Sequence, residues 1–172
     1  MSIKIAIGSD HAGYGLKCEV IKHLKEQNID FIEMGCMDGT SCDYPVVAKE
    51  VCDKVVDGTV DRAVLICGTG IGISMAANKV KGIRAALCTD AYMAKYTRLH
   101  NDANVLCLGE GLSVRGLLRK LSTSSLTQNL RADVTSAELT LFQSLKNNFW
   151  RILLCRMSES LTTHSFSTRS HL

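Results

Sequence analysis

Cys67-Gly68-Thr69-Gly70-Ile71-Gly72-Ile73 sets a thiol beside a turn made of alternating glycines. The apolar run Ala63-Val64-Leu65-Ile66 precedes it and Ser74-Met75-Ala76-Ala77-Asn78-Lys79 follows, so the segment is a strand, a turn and a helix start. Glycines at 68, 70 and 72 let the backbone approach a bound group closely, and the amides of a first helical turn favour an anion. The same field favours a thiolate over a thiol, which makes Cys67 a candidate base or nucleophile. Further chemistry-bearing groups stand in Ser9-Asp10-His11-Ala12-Gly13, in Asp43-Tyr44-Pro45 and in Arg98-Leu99-His100-Asn101.

Elements with a regular alternation must position these groups. The pattern predicts strand 4–8, helix 13–27, strand 29–34, helix 45–56, strand 62–66, helix 71–80, strand 84–88, helix 90–100 and strand 104–108. The strands are short, β-branched and apolar, as strands buried on both faces of a parallel sheet should be. The expected fold is therefore α/β: a three-layer α/β/α, Rossmann-like, doubly wound five-stranded parallel sheet. Such sheets bind ligands at the carboxyl ends of their strands. Asp10 and His11 follow the first strand, Tyr44 stands just before the second helix, Cys67 to Gly72 follow the third strand, and His100 and Asn101 end the fourth helix. Singly, Asp10 suits a helix cap, His100 a surface histidine near a helix C-terminus, and Tyr44 packing. Jointly they are expected on one rim.

Composition is that of one globular domain: 172 residues, 46% apolar and 22% charged. No apolar run approaches the ~18 residues of a membrane span, and the chain opens directly into Lys4-Ile5-Ala6-Ile7-Gly8, so a cytosolic protein is expected. The eight cysteines form no C-x-x-C pair and no metal-ligand spacing with the five histidines, and most are expected to be buried as small apolar residues. Charge is uneven. Residues 1–110 hold 12 Lys and Arg against 14 Asp and Glu, and residues 111–172 hold 8 against 3.

With no metal set, no nucleophile–His–Asp order and no Walker lysine, acid–base chemistry on a small anion remains. An aldose–ketose isomerisation fits: a base moves a proton between adjacent carbons, donors stabilise the enediolate oxygens, and an imidazole opens the sugar ring. It requires no cofactor. Three segments, Gly8-Ser9-Asp10-His11-Ala12-Gly13, Cys67-Gly68-Thr69-Gly70-Ile71-Gly72 and His100-Asn101-Asp102-Ala103-Asn104-Val105-Leu106, resemble those of type B ribose-5-phosphate isomerases over residues 3–110. The resemblance implies that Cys67 takes the carbon-bound proton and that Thr69, with the backbone of Gly68, Gly70, Ile71 and Gly72, stabilises the enediolate. It implies that His100 opens the furanose, Asp10 shuttles the hydroxyl proton, His11 faces the phosphate, and Tyr44 and Asn101 line the sugar pocket. It also implies a homodimer or dimer of dimers whose pockets are completed by the neighbouring subunit.

The resemblance stops at Leu108-Gly109-Glu110. The family then has an arginine and, later, a Gly-Gly-Arg-His-x-x-Arg-like stretch that holds phosphate; here position 111 is Gly and no such stretch follows. Serine rises from 4 in residues 1–110 to 11 in residues 111–172, and leucine from 7 to 13. A permitted choice of codons for Lys120 to Thr140, begun two bases later, encodes IVDIFLNTELEGGRHQRRID, which restores the arginine stretch. The expected organisation is an isomerase core over 1–110 and an out-of-frame tail over 111–172, partly helical or disordered, that leaves activity weak or absent. Its basic residues lack the aromatic interleaving of a nucleic-acid site, so no nucleic acid and no membrane is expected as partner. Alternatives are another aldose substrate (allose 6-phosphate, galactose 6-phosphate or a free rare sugar) and, more remotely, a nucleotide-binding module suggested by Gly13, Gly15 and Glu33.

Overall fold

The computed structural model describes residues 3–111. Along them run β1 (Lys4–Ser9), α1 (Tyr14–Glu26), β2 (Asp30–Gly35), α2 (Tyr44–Val56), β3 (Arg62–Cys67), α3 (Ile71–Ala77), β4 (Ala85–Leu87), α4 (Ala91–Asn101) and β5 (Val105–Gly109). Five parallel strands form one sheet in the order β2-β1-β3-β5-β4. Register across the centre pairs Ile7 with Val64 and Val64 with Leu106.

Alternation along the inner strands builds two cores. Ile5, Ile7, Val64, Ile66 and Leu108 pack with Leu16, Val20 and Leu24 of α1 and Ala94 of α4. Ala6, Ala63, Leu65, Val105 and Cys107 point the other way, to Val47, Ala48 and Val51 of α2 and Ile73 and Ala77 of α3. The sheet is thus covered on both faces, as the doubly wound three-layer reading expects. Full burial holds for β5, for β3 beyond Arg62 and for β1 beyond Lys4, whereas the edge strands β2 and β4 are partly exposed.

Local chemistry explains the helix ends. Pro45 sits in the first turn of α2, where its missing N–H costs nothing. Asp90 caps α4 by accepting from the Met93 N–H at 2.9 Å. Helix α3 stops at Ala77, short of the expected residue 80, because the Asn78 amide bonds the Ser74 carbonyl at 3.0 Å and both backbone groups of Ala85, at 2.8 and 3.0 Å. Cys36, Cys52, Cys67, Cys88 and Cys107 are buried, Cys42 is half-buried and Cys18 exposed, all as free thiols. No described helix is long and apolar enough to cross a membrane. The expectations for the tail from residue 112 onward, and for Cys155, lie outside the described residues.

Candidate active site

Sheet order determines where a ligand can enter. β1 leads through α1 outward to β2, while β3 leads through α3 on the opposite face towards β4. The loops after β1 and β3 therefore part, and their crevice is the switch point of the sheet. They start side by side: the Asp10 N–H donates to the Ile66 carbonyl at 3.2 Å, and a Cβ on Gly68 would lie 3.6 Å from that of Ala12.

Cys67 is the last residue of β3 and 5% exposed, with Sγ accepting from the Gly70 N–H at 3.1 Å. Gly70 has φ +75°, and any Cβ there would strike Leu87 and the Leu108 backbone, so the tight turn around the sulfur demands glycine. The Ile71 N–H donates to Thr69 Oγ1 at 3.2 Å. Two of the loop's amides are thus directed at its own side chains. Those of Gly72 and Ile73, in the first turn of α3, have no intrahelical acceptor and are suited to an incoming oxygen. Tyr44 opens α2 and lays its ring over Gly72, where a Cβ would stand 2.9 Å from Cζ and 3.2 Å from the hydroxyl oxygen. The phenol is thereby brought to the glycine turn.

Asp10 is buried, and its Oδ1 accepts from the Gly13 N–H at 2.8 Å, closing the turn into α1. The N-cap of α1 is Gly13 and no side chain caps the helix, so Asp10 closes the turn before α1 rather than capping it. His11 is exposed, with Nδ1 3.4 Å from the Cys42 amide nitrogen and 3.3 Å from its carbonyl oxygen, the tautomer deciding which bond forms. Burial, then the neighbouring Cys36, raises the Cys42 thiol's pKa.

His100 and Asn101 require a correction. A helix joining two parallel strands starts at their carboxyl rim and must return to the amino edge, so the end of α4 lies at the opposite edge from Cys67. Arg84, just before β4, donates from Nε to the Asn101 carbonyl at 2.6 Å, and the Ala63 N–H at the start of β3 donates to Asn104 at 3.0 Å. From Arg62 to Cys67 the strand rises about 16 Å. One chain does not bring His100 or Asn101 to the crevice that holds Asp10, His11, Tyr44 and Cys67.

Three residues escaped the sequence reading because their partners are remote or backbone atoms. Glu110 Oε2 accepts from the Leu16 N–H at 2.7 Å, placing a carboxylate on the N-terminus of α1 across 94 positions. Lys17 is fully buried and pairs with Glu33 at 2.8 Å. Arg98 binds the Ala103 carbonyl and Asp102, locking the end of α4. The first two also remove the nucleotide-binding alternative: Glu33 is paired with Lys17, and Glu110 occupies the helix N-terminus that a pyrophosphate would need.

An α/β enzyme with a thiol and a glycine turn at its sheet's switch point is the class these features define. A model of the Ribose/Galactose Isomerase family matches residues 5–137, and the chain belongs to that family. It is an aldose–ketose isomerase of the ribose-5-phosphate isomerase type, and the family match runs past Glu110, where the sequence reading ended the core. Ribose-5-phosphate isomerase B of Escherichia coli (strain K12) is 49% identical over 106 residues, 62% of this chain and 71% of that protein. Galactose-6-phosphate isomerase subunit LacB of Clostridium acetobutylicum is 39% identical over 117 residues, 68% of each chain. The solved structure of Clostridium thermocellum ribose-5-phosphate isomerase B gives a TM-score of 0.79 at 41% identity, covering 86% of this chain and 99% of that one.

Proposed function

We propose that the chain interconverts ribose 5-phosphate and ribulose 5-phosphate through an enediolate, with no cofactor. The meeting of Cys67, Asp10, His11, Tyr44 and the glycine turn in one crevice carries this reading. Cys67 Sγ takes the proton from C2 of the open-chain aldose and delivers it to C1, while Asp10 moves the hydroxyl proton from O2 to O1. Thr69 and the amides at the start of α3 hold the oxygens on which charge develops. His11 faces the phosphate end, and Tyr44 bounds the sugar. A cytoplasmic location fits this metabolic role.

His100 opens the ring and Asn101 contacts the sugar from a second copy of the chain, because in their own chain they lie at the opposite edge of the sheet. This makes the working form a homodimer or dimer of dimers. Two surfaces support that reading: Ile71 and Met75 on α3 are 48% and 63% exposed beside the rim, and on α4 the Tyr96 ring meets Tyr92 tilted at 4.3 Å and His100 edge to face at 5.1 Å.

Isomerisation of ribose 5-phosphate by the full chain and by Cys67→Ala tests the proposal. Turnover is expected in the parent, with a loss of about 10²–10⁴-fold in the variant. Undiminished turnover in Cys67→Ala refutes its role as base. Mixing inactive Cys67→Ala and His100→Ala chains should regenerate about a quarter of parental activity, since a hybrid of a two-fold dimer contains one intact site. No recovery after subunit exchange refutes the shared site. The similarity to the LacB subunit favours a second reading, galactose 6-phosphate, which turnover of that sugar with silence on ribose 5-phosphate would select.

A further inference from the structure

Lys17, in α1, is fully buried, and its ammonium gathers oxygens from one short stretch of chain. Nζ lies 2.8 Å from Glu33 Oε1, donates to the Met34 carbonyl at 3.3 Å and to the Cys36 carbonyl, and stands 5.4 Å from the centre of the Tyr14 ring. A buried ammonium is costly unless it is both paired and hydrogen-bonded. Pairing α1 to β2 would need Glu33 alone. The two carbonyls flank Gly35, the last residue of β2, where the chain leaves the sheet at φ +72°.

From that point contacts run continuously to the candidate site. The Cys36 N–H donates to the Ser9 carbonyl at 2.9 Å, at the end of β1. Cys36 Sγ accepts from the Gly39 N–H at 3.1 Å and donates to the Thr40 carbonyl at 3.3 Å, folding residues 36–40 around the thiol. Cys42 then meets His11 Nδ1 through its backbone, and two residues later Tyr44 covers Gly72. We infer that Lys17 is a positioning residue: by holding the Cys36 carbonyl it fixes the 36–43 loop, and through that loop it sets His11 and Tyr44 against the glycine turn.

Amide exchange in the full chain and substrate kinetics test this together, and only the kinetic arm rests on the isomerase reading. In Lys17→Met the Gly39 and Cys42 amides should exchange about tenfold faster than in the parent, the size of one net hydrogen bond, with β1 and β3 unchanged. KM for ribose 5-phosphate should rise about tenfold with kcat within about threefold, because His11 and Tyr44 hold substrate and do not move the carbon-bound proton. A purely structural lysine would lower the melting temperature yet leave KM per folded molecule and the exchange at 39 and 42 at parental values; that result overturns the inference. If Lys17→Met does not fold, Glu33→Gln decides: it removes only the charged partner and should speed both amides about threefold, whereas parental exchange overturns the inference. If the parent does not isomerise ribose 5-phosphate, the proposed substrate fails and the exchange result alone decides the role of Lys17.

Discussion

Alanine at position 70 puts a methyl group where the turn around Cys67 has no space for one, and its cost can be worked out against a control in the same chain. A Cβ there would lie 2.5 Å from Leu87 Cδ1, 2.8 Å from the Leu108 carbonyl carbon and 2.9 Å from its oxygen, at φ +75°. Left-handed backbone costs an L-residue about 1–2 kcal/mol, and the reduced freedom of the unfolded chain offsets about 0.4–1 kcal/mol of that. The Leu87 side chain can rotate away. Leu108 cannot, because it belongs to the buried strand β5, and relieving the overlap by shifting backbone costs about 1–3 kcal/mol more. The net expectation for Gly70→Ala is about 3 kcal/mol of lost stability. Gly58 has nearly the same backbone, φ +77°, with nothing within 4 Å of its would-be Cβ. Gly58→Ala should therefore cost about 1 kcal/mol or less. Urea unfolding followed by far-ultraviolet circular dichroism measures both variants, and at a slope of about 1–3 kcal/mol/M the midpoints should differ by about 1 M. Variants within about 0.5 kcal/mol of each other would refute the claim that β5 leaves no room at this turn.

Burial pushes the Cys52 and Cys88 thiols up to about 12 and the Cys107 thiol well above its ordinary value. At pH 8 without denaturant, iodoacetamide should label exposed Cys18 and spare these three, as peptide mass spectrometry will read; labelling of any of them in the folded chain contradicts their placement. Because the folded state holds these pKa values above the ordinary 9.0, the stability they contribute is complete below that pH. It is lost as pH rises towards 12, so the unfolding free energy should decline above pH 9, and a flat profile there refutes the linkage. Glu110→Gln keeps an acceptor for the Leu16 N–H but removes its charge, and urea unfolding should show a loss of about 0.3–1 kcal/mol, largest at low salt. Replacing residues 111–172 by the frame-restored arginine segment should raise kcat/KM for ribose 5-phosphate at least about tenfold, the size of one charge-assisted phosphate contact. Equal turnover of the two chains refutes the out-of-frame reading of the tail.

The fold was legible because a parallel sheet writes its pattern locally. Short, mainly apolar runs between amphipathic helices announced every described strand, even β2 with its Asp30 and Glu33, and short connections left little freedom for another arrangement. The strand order was less legible, since placing β5 between β3 and β4 depends on side-chain fit between elements distant in sequence. Cys67, Asp10 and Tyr44 could be placed on one rim because each follows a strand or opens a helix on that side. His100 was misplaced by reading a helix's last turn as though it were a strand's end, and the direction of α4 between two parallel strands supplies the correction. Lys17 and Glu110 carried no signal at all. A lysine in an amphipathic helix reads as solvated, and only the geometry of the β2 exit shows that it is enclosed. Glu110 acts on the Leu16 backbone, whose position no side-chain pattern discloses.

Among the described residues β4 finds its only strand partner in β5, which also completes the second side of β3. A nascent chain leaving the ribosome can pair β1 with β2 and then β3 as each arrives. There the assembly halts: until residues 105–109 emerge, β3 keeps a bare edge and β4 has nothing to join. Emergence of α4 from the ribosome is therefore the interval of greatest exposure to misassociation, when an open apolar ribbon awaits its closing strand. Slow codons in that interval would prolong the hazard, and a chaperone recognising unpaired strand edges would act there.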